Sequence, residues 1–146
     1  MPEIVGVDLG VRVAHVSTSL ACFSFTSKKE WPRYKQLQNI ADQFYTRFGS
    51  DDCYLFVEEP VVAGARNLRV SLQMAQLGGA ILASVPGEFV PVSTWKKATV
   101  GKGNARKEDV RNWLRDNEKT KDEYEKAKGS QDWIDASCIR LYGINR

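Results

Sequence analysis

Histidine is almost absent from this chain, with His15 alone, and cysteine is scarce: Cys22, Cys53 and Cys138. The three thiols show no Cys-x-x-Cys spacing and leave an odd number, which argues against a disulfide framework. Each lies in an apolar context, so they read as reduced residues in or near the core of a cytoplasmic protein. No apolar run approaches the roughly 18–20 residues of a membrane span. The N-terminus enters a strand pattern directly, without a signal-peptide profile. There are no internal repeats and no low-complexity tracts. His15 falls mid-strand, away from the motifs described below, and reads as structural.

At 146 residues the chain is expected to form one domain, spanning 1–146, that buries about two-thirds of its unfolded surface. The net charge is only +3, but it is unevenly spread. Lys96, Lys97, Lys102, Arg106, Lys107, Arg111 and Arg115 crowd one stretch against Glu108 and Asp109. That stretch is a candidate phosphate-binding face. Taken alone, a solvated helix and loop accounts for it equally well.

The patterning predicts strands at 3–9, 11–18 and 21–26, joined by tight turns as an antiparallel meander. Pro32 opens a helix to about Phe48, with Leu37, Ile40, Ala41, Phe44, Tyr45 and Phe48 at spacings of three and four. Gly49 stops it. A buried strand at 53–57, a long helix at 68–85 and a short strand at 88–92 follow. Ser93 and Thr94 are expected to cap a turn, and Asn104 a helix running to about Asn117. The charged segment 118–129 reads as an exposed, mobile loop with room for a frayed helical turn, and 132–142 as the closing helix. The order predicts an α/β domain: a mixed five-stranded sheet, part antiparallel meander and part parallel strands, with helices on both faces.

Four carboxylates stand out. Asp8 ends the apolar run Ile4-Val5-Gly6-Val7 and precedes Gly10; Glu58 ends Tyr54-Leu55-Phe56-Val57. An ionised acid at the end of a buried strand is costly unless something offsets its charge. Asp132 and Asp135 lie three apart in a first helical turn, so they share one face. The positive helix end explains one acid there comfortably and two less well. Glu58 and Glu59 point to opposite sides of their strand, so at most one of them joins a site, and a surface role for both also fits; Pro60 ends the ladder. An all-carboxylate set suits Mg²⁺ or Mn²⁺, and a pair of such ions is the usual centre for phosphodiester cleavage.

The order of these motifs resembles the RuvC family of Holliday-junction resolvases. Val7-Asp8-Leu9-Gly10 is similar to the family's first motif and Phe56-Val57-Glu58-Glu59 to its second. Gln76-Leu77-Gly78-Gly79-Ala80 resembles the helix that follows. Ala98-Thr99-Val100-Gly101-Lys102-Gly103-Asn104-Ala105-Arg106-Lys107 resembles the basic segment, and Asp132-Trp133-Ile134-Asp135-Ala136 the final motif. The resemblance implies an RNase H-like fold and a single nuclease domain. It implies Asp8, Glu58, Asp132 and Asp135 as ligands of two Mg²⁺ ions, with Mn²⁺ as a substitute and Asp8 shared between them. It also selects Glu58 over Glu59. Lys107 is implied as a DNA-contacting or catalytic lysine, with Lys96, Lys97, Lys102, Arg106 and Arg111 on the DNA face. The implied reaction is hydrolysis of four-way junctions by paired nicks that leave 5′-phosphate and 3′-hydroxyl ends. Enteric-type members carry an aromatic just after the second motif, and Pro60-Val61-Val62-Ala63 offers none. The short chain is similar to phage-encoded members, which act on branched DNA more broadly.

The helix 68–85 carries two apolar stripes, one through Val70, Met74, Leu77, Ile81 and Val85, the other through Leu68, Leu72, Ala75, Gly79 and Leu82. One stripe covers the sheet and the other needs a second partner, either another helix of the same chain or a second copy. The resemblance implies a homodimer there, with Gly78 and Gly79 permitting close approach. Trp31 and Trp113 read as helix packing, and Trp133 as pointing off the aspartate face. Trp95 suits either the core or a base stack. Three other functions compete: an RNase H-like nuclease acting on RNA or RNA–DNA hybrid, an actin-like nucleotide-binding module, and a non-catalytic DNA-binding module. No second glycine-rich phosphate loop supports a nucleotide cofactor. Without metal, four acids beside a DNA face would repel phosphate.

Overall fold

The structure, a computed structural model, describes residues 1–50, 52–61 and 67–146. Strands β1 (Glu3–Leu9), β2 (Val13–Ser17) and β3 (Cys22–Thr26) form the predicted meander. Helix α1 (Arg33–Phe48) leads to β4 (Cys53–Glu59), and α2 (Leu68–Ser84) to β5 (Gly87–Pro91). The five-stranded sheet has the order β3-β2-β1-β4-β5, with β4 parallel to β1 and β5 parallel to β4. Four helices follow: α3 (Val92–Thr99), α4 (Lys107–Asp116), α5 (Lys121–Lys126) and α6 (Gln131–Asn145).

Strand alternation sorts the side chains into two cores. Val5, Val7, Leu9, Leu55 and Val57 face α1 and α2, where Ile40, Phe44, Leu77 and Ile81 cover them. Phe56 and Val90 face the other way and pack with Trp95, Val110, Leu114, Ile134 and Ile139. A fully buried side chain of this size contributes about 1.5–3 kcal/mol. Helices as short as α3 and α5 have no independent stability, so this packing holds them.

Gly6 fixes the placement of α6. A Cβ there would run into the Ala136 carbonyl oxygen and lie 2.6 Å from the Arg140 amide nitrogen. Only a glycine lets α6 cross β1 this closely. Arg140, itself buried, donates from Nε to the Ile4 carbonyl at 3.0 Å, and fully buried Ser17 and Ser137 join β2 to α6 at 3.1 Å. The helix N-terminus is thereby set over the end of β1.

The structure departs from the sequence reading at four places. The turn expected at Ser93–Thr94 is the first turn of α3, entered from Pro91; a run of eight residues shows too few periods to be seen. Helix α4 starts at Lys107 rather than after Asn104, because the Asp109 carboxylate accepts from the Arg106 amide at 3.0 Å. The segment 118–129 is no open loop. It contains α5, whose Glu123 pairs with Arg140 at 2.8 Å and Lys126 at 2.9 Å, while Lys126 donates to the Thr18 carbonyl at 2.9 Å. Gly78 faces the sheet, where a Cβ would press on Phe89 and Leu9, so it cannot line an outer contact. Of the residues after the second motif, Val62 and Ala63 lie outside the described residues. None of the cysteines forms a disulfide. Among the described residues no helix is long and apolar enough to cross a membrane.

Gly6→Ala is expected to destabilise the protein by about 1–3 kcal/mol or more, the usual cost of overpacking a tight contact. Urea unfolding would measure it; unchanged stability would mean that α6 does not depend on this crossing.

Candidate active site

The parallel strands β1, β4 and β5 end on one side of the sheet. Gly6 and Phe56 face α6, so Asp8 and Glu58, two residues further on, project to the same side. Ser130 caps α6, its hydroxyl accepting from the Trp133 amide at 3.3 Å, and the first turns of the helix carry Asp132 and Asp135. The four carboxylates thus come together from β1, β4 and α6. Glu59 is exposed and turned away from them.

Asp8 is 7% exposed. Burial raises its pKa well above the ordinary carboxylate range, and the charges of Glu58, Asp135 and Asp132 raise it further, as does a hydrogen bond shared with Asp132. Burial also pushes Glu58 up to about 7, although its hydrogen bond from Trp95 acts in the opposite direction. Asp135 is raised by burial, against a hydrogen bond from Gln131. No Lys or Arg among the described residues forms an ion pair with any of these three acids. Asp8 is buried and Glu58 and Asp135 are half-buried, and they form an acidic cluster that no ion pair offsets, with Lys96 and Lys107 acting on it only through space.

That is the donor set expected of a hard divalent cation: oxygen only, clustered and short of positive charge. The cage is not pre-closed. Among the described residues no three acid, His or Cys side chains converge tightly enough to form a metal-binding group on their own. To hold an ion, the carboxylates would have to move closer together.

Three neighbours that the sequence reading did not connect with the site orient these acids. Trp95 is fully buried and donates from Nε1 to Glu58 Oε2 at 3.0 Å, so it is not available as a base-stacking platform. Gln131 donates from Nε2 to Asp135 Oδ1 at 2.9 Å. His15 is not remote from the motifs: it pairs directly across the ladder from Asp8, with Nε2 3.4 Å from Asp132 Oδ2. Its Nδ1 lies 2.9 Å from Ser24 Oγ, which also accepts from Trp133 Nε1 at 3.0 Å. Burial lowers the His15 pKa, with the Asp132 charge opposing it. Counting residues back from the β1–β2 turn would have placed His15 opposite Asp8; the other two contacts leave no sequence signal.

The basic residues divide into two groups. Lys96 and Lys107 lie close enough for their charges to favour ionised Asp135; Lys96 also donates to the Ala105 carbonyl at 3.0 Å. Lys97, Lys102, Arg106 and Lys107 are exposed. Arg111 instead donates to the Gly129 carbonyl at 3.1 Å and contacts Gln131, bracing the entry to α6.

No protein-family model matches the chain, and no curated protein matches it. Solved structures do. The Thermus thermophilus RuvC structure superposes with a TM-score of 0.71 at 20% identity, covering 96% of this chain and 92% of that one. T. thermophilus RuvC in complex with a Holliday junction substrate gives 0.71 at 19% identity, over 97% and 92%. The chain therefore has the RuvC fold, an RNase H-like architecture over nearly its whole length.

The raised Glu58 pKa gives metal-free stability a definite pH dependence. The folded state holds this proton more tightly than the unfolded chain. The resulting stabilisation is complete below about pH 4.5 and is lost as pH rises through about 7. It is on the order of 3 kcal/mol. Thermal melting in EDTA should show Tm falling from pH 5 to pH 8, with a shallower fall in Glu58→Gln. Equal slopes for the two proteins would refute the buried, protonated Glu58.

Proposed function

We propose that this protein is a divalent-metal-dependent endodeoxyribonuclease that hydrolyses four-way DNA junctions, and other branched DNA, by paired nicks leaving 5′-phosphate and 3′-hydroxyl ends. The observation that carries this reading is the convergence of Asp8, Glu58, Asp132 and Asp135 in an acidic cluster that no Lys or Arg ion pair offsets, with Lys96 and Lys107 near enough to act on Asp135. The RuvC fold, seen with a Holliday junction in the T. thermophilus complex, supports the substrate class.

In this reading Asp8, Glu58, Asp132 and Asp135 would hold two Mg²⁺ or Mn²⁺ ions. Bound there, such ions lower the pKa of an attacking water and offset charge on the attacking and leaving oxygens. The protein supplies the arrangement. Trp95 and Gln131 each donate to one carboxylate oxygen, of Glu58 and Asp135 respectively, and so orient those side chains. Lys107 and Lys96 provide positive charge next to Asp135, where a scissile phosphate can be received. Lys97, Lys102 and Arg106 extend that charge outward along the DNA backbone.

Two incisions related by symmetry call for two active sites, so the reading includes a twofold dimer. The exposed face of α2 is suited to it. Leu68 and Leu72 are 41% and 52% exposed, and a Cβ on Gly79, on the same side of the helix, would meet nothing within 4 Å; Val70, 46% exposed, lies on the other stripe. Ala75 is exposed on the same helix, while Leu82 is partly buried toward Gly87.

Asp8→Asn should lower cutting of a synthetic four-way junction by about 10³-fold or more, the scale of preorganised electrostatic catalysis. Junction binding should persist, because one negative charge near phosphate is removed. Cutting by wild type in EDTA, or preferential cutting of linear duplex or RNA–DNA hybrid, would overturn the assignment.

Gly79→Leu tests the dimer, because the open space at Gly79 means that a lone subunit tolerates the substitution. Sedimentation should show a monomer, and a cruciform plasmid should yield single nicks in place of linear product. An unaltered dimer would move the interface away from this face.

A further inference from the structure

A second group of cations lies on the other side of the carboxylates, and the DNA face described above does not include it. The β3–α1 loop carries Lys28, Lys29 and Trp31, with Lys35 in the first turn of α1. The Lys35 ammonium sits 4.4 Å from the Trp31 ring centroid, and that of Lys28 5.2 Å. Neither lysine, nor Lys29 or Arg12, forms an ion pair among the described residues. The loop is firmly held. Buried Gln36 donates to the Lys28 and Lys29 carbonyls at 3.0 and 3.3 Å, and Gln43 to the Thr26 carbonyl at 3.0 Å. The Ser27 amide donates to the Arg12 carbonyl at 3.1 Å, joining the loop to the turn that follows Asp8 and Leu9. Thr26, Ser27, Lys28, Trp31, Asn39 and Gln43 line a concavity there. The Ser27 hydroxyl is buried with no hydrogen-bond partner among the described residues.

The end of β3 lies at the same end of the sheet as Asp8, two strands away, or roughly 10 Å. Cations therefore flank the acids on both sides: α3 and α4 beyond β4, and this loop beyond β2. We infer that the Ser27–Trp31 loop, with Lys35, is a second phosphate-binding surface that grips the sugar–phosphate backbone of the bound DNA. Trp31 holds two flexible lysines near one ring, which lowers the ordering cost of each phosphate contact. The contacts carry charge and no base-edge readout, so they add affinity without sequence preference. This inference rests on the proposed DNA-cleaving function.

The test uses fluorescence anisotropy with a fluorescent synthetic four-way junction, in Ca²⁺ buffer, across a series of salt concentrations. Lys28→Gln/Lys35→Gln should flatten the log–log salt slope by about two units and weaken binding at physiological salt on the order of tenfold. Trp31→Ala keeps the charges, so it should weaken binding several-fold at an unchanged slope. Lys119→Gln/Lys121→Gln removes the same charge elsewhere and should leave the slope intact. An unchanged slope in the Lys28/Lys35 variant, or an equal loss in the Lys119/Lys121 control, would overturn the inference. If Lys102→Gln/Lys107→Gln flattens the slope and Lys28→Gln/Lys35→Gln does not, the inference alone fails. A wild type without salt-dependent junction binding would overturn the proposed function with it.

Discussion

Everything at the candidate site depends on one close crossing, that of α6 over β1 at Gly6. The helix backbone lies where a Cβ would have to be. This contact brings the first turns of α6 over the end of β1 and so places Asp132 and Asp135 beside Asp8. Arg140 extends the constraint. It anchors to the Ile4 carbonyl on one side and to Glu123 on the other, so α5 is tied to the same crossing. A wider approach of helix to strand would separate the acids and remove the reason for their raised pKa values.

The electrostatic cost of the site is local and visible. Asp8 is buried, Glu58 and Asp135 are half-buried, none has a basic ion-pair partner, and each has a pKa displaced upward chiefly by desolvation. The fold tolerates this because two well-filled cores flank the sheet. Hydrogen bonds from Trp95 and Gln131 partly satisfy Glu58 and Asp135. Such an arrangement opposes stability in the absence of cations and favours binding them.

Much of the fold was legible because its elements carry strong periodic patterns. The meander, α1, α2 and the mixed sheet follow from alternation and from apolar spacings of three and four. The failures have a common cause. Helices α3 and α5 are too short to show a period, and α5 is held by the Glu123–Arg140 pair, whose members lie seventeen residues apart. Charge in segment 118–129 pointed to solvent, but the pairing that buries part of it is tertiary. Gly78 and Gly79 are adjacent in sequence, and only the helix phase shows that one meets Phe89 while the other faces open space.

The sequence by itself determined the candidate acids, because a carboxylate at the end of an apolar strand is anomalous wherever that strand lies. It also determined the strand alternation that separates Glu58 from Glu59. Tertiary structure alone decided what surrounds them. Strand register put His15 across from Asp8, and helix packing aimed Trp95 at Glu58. The return of β3 to the end of the sheet that carries Asp8 set a second lysine group beyond β2. Each of these relations joins residues distant along the chain through a backbone path that composition and local periodicity do not encode.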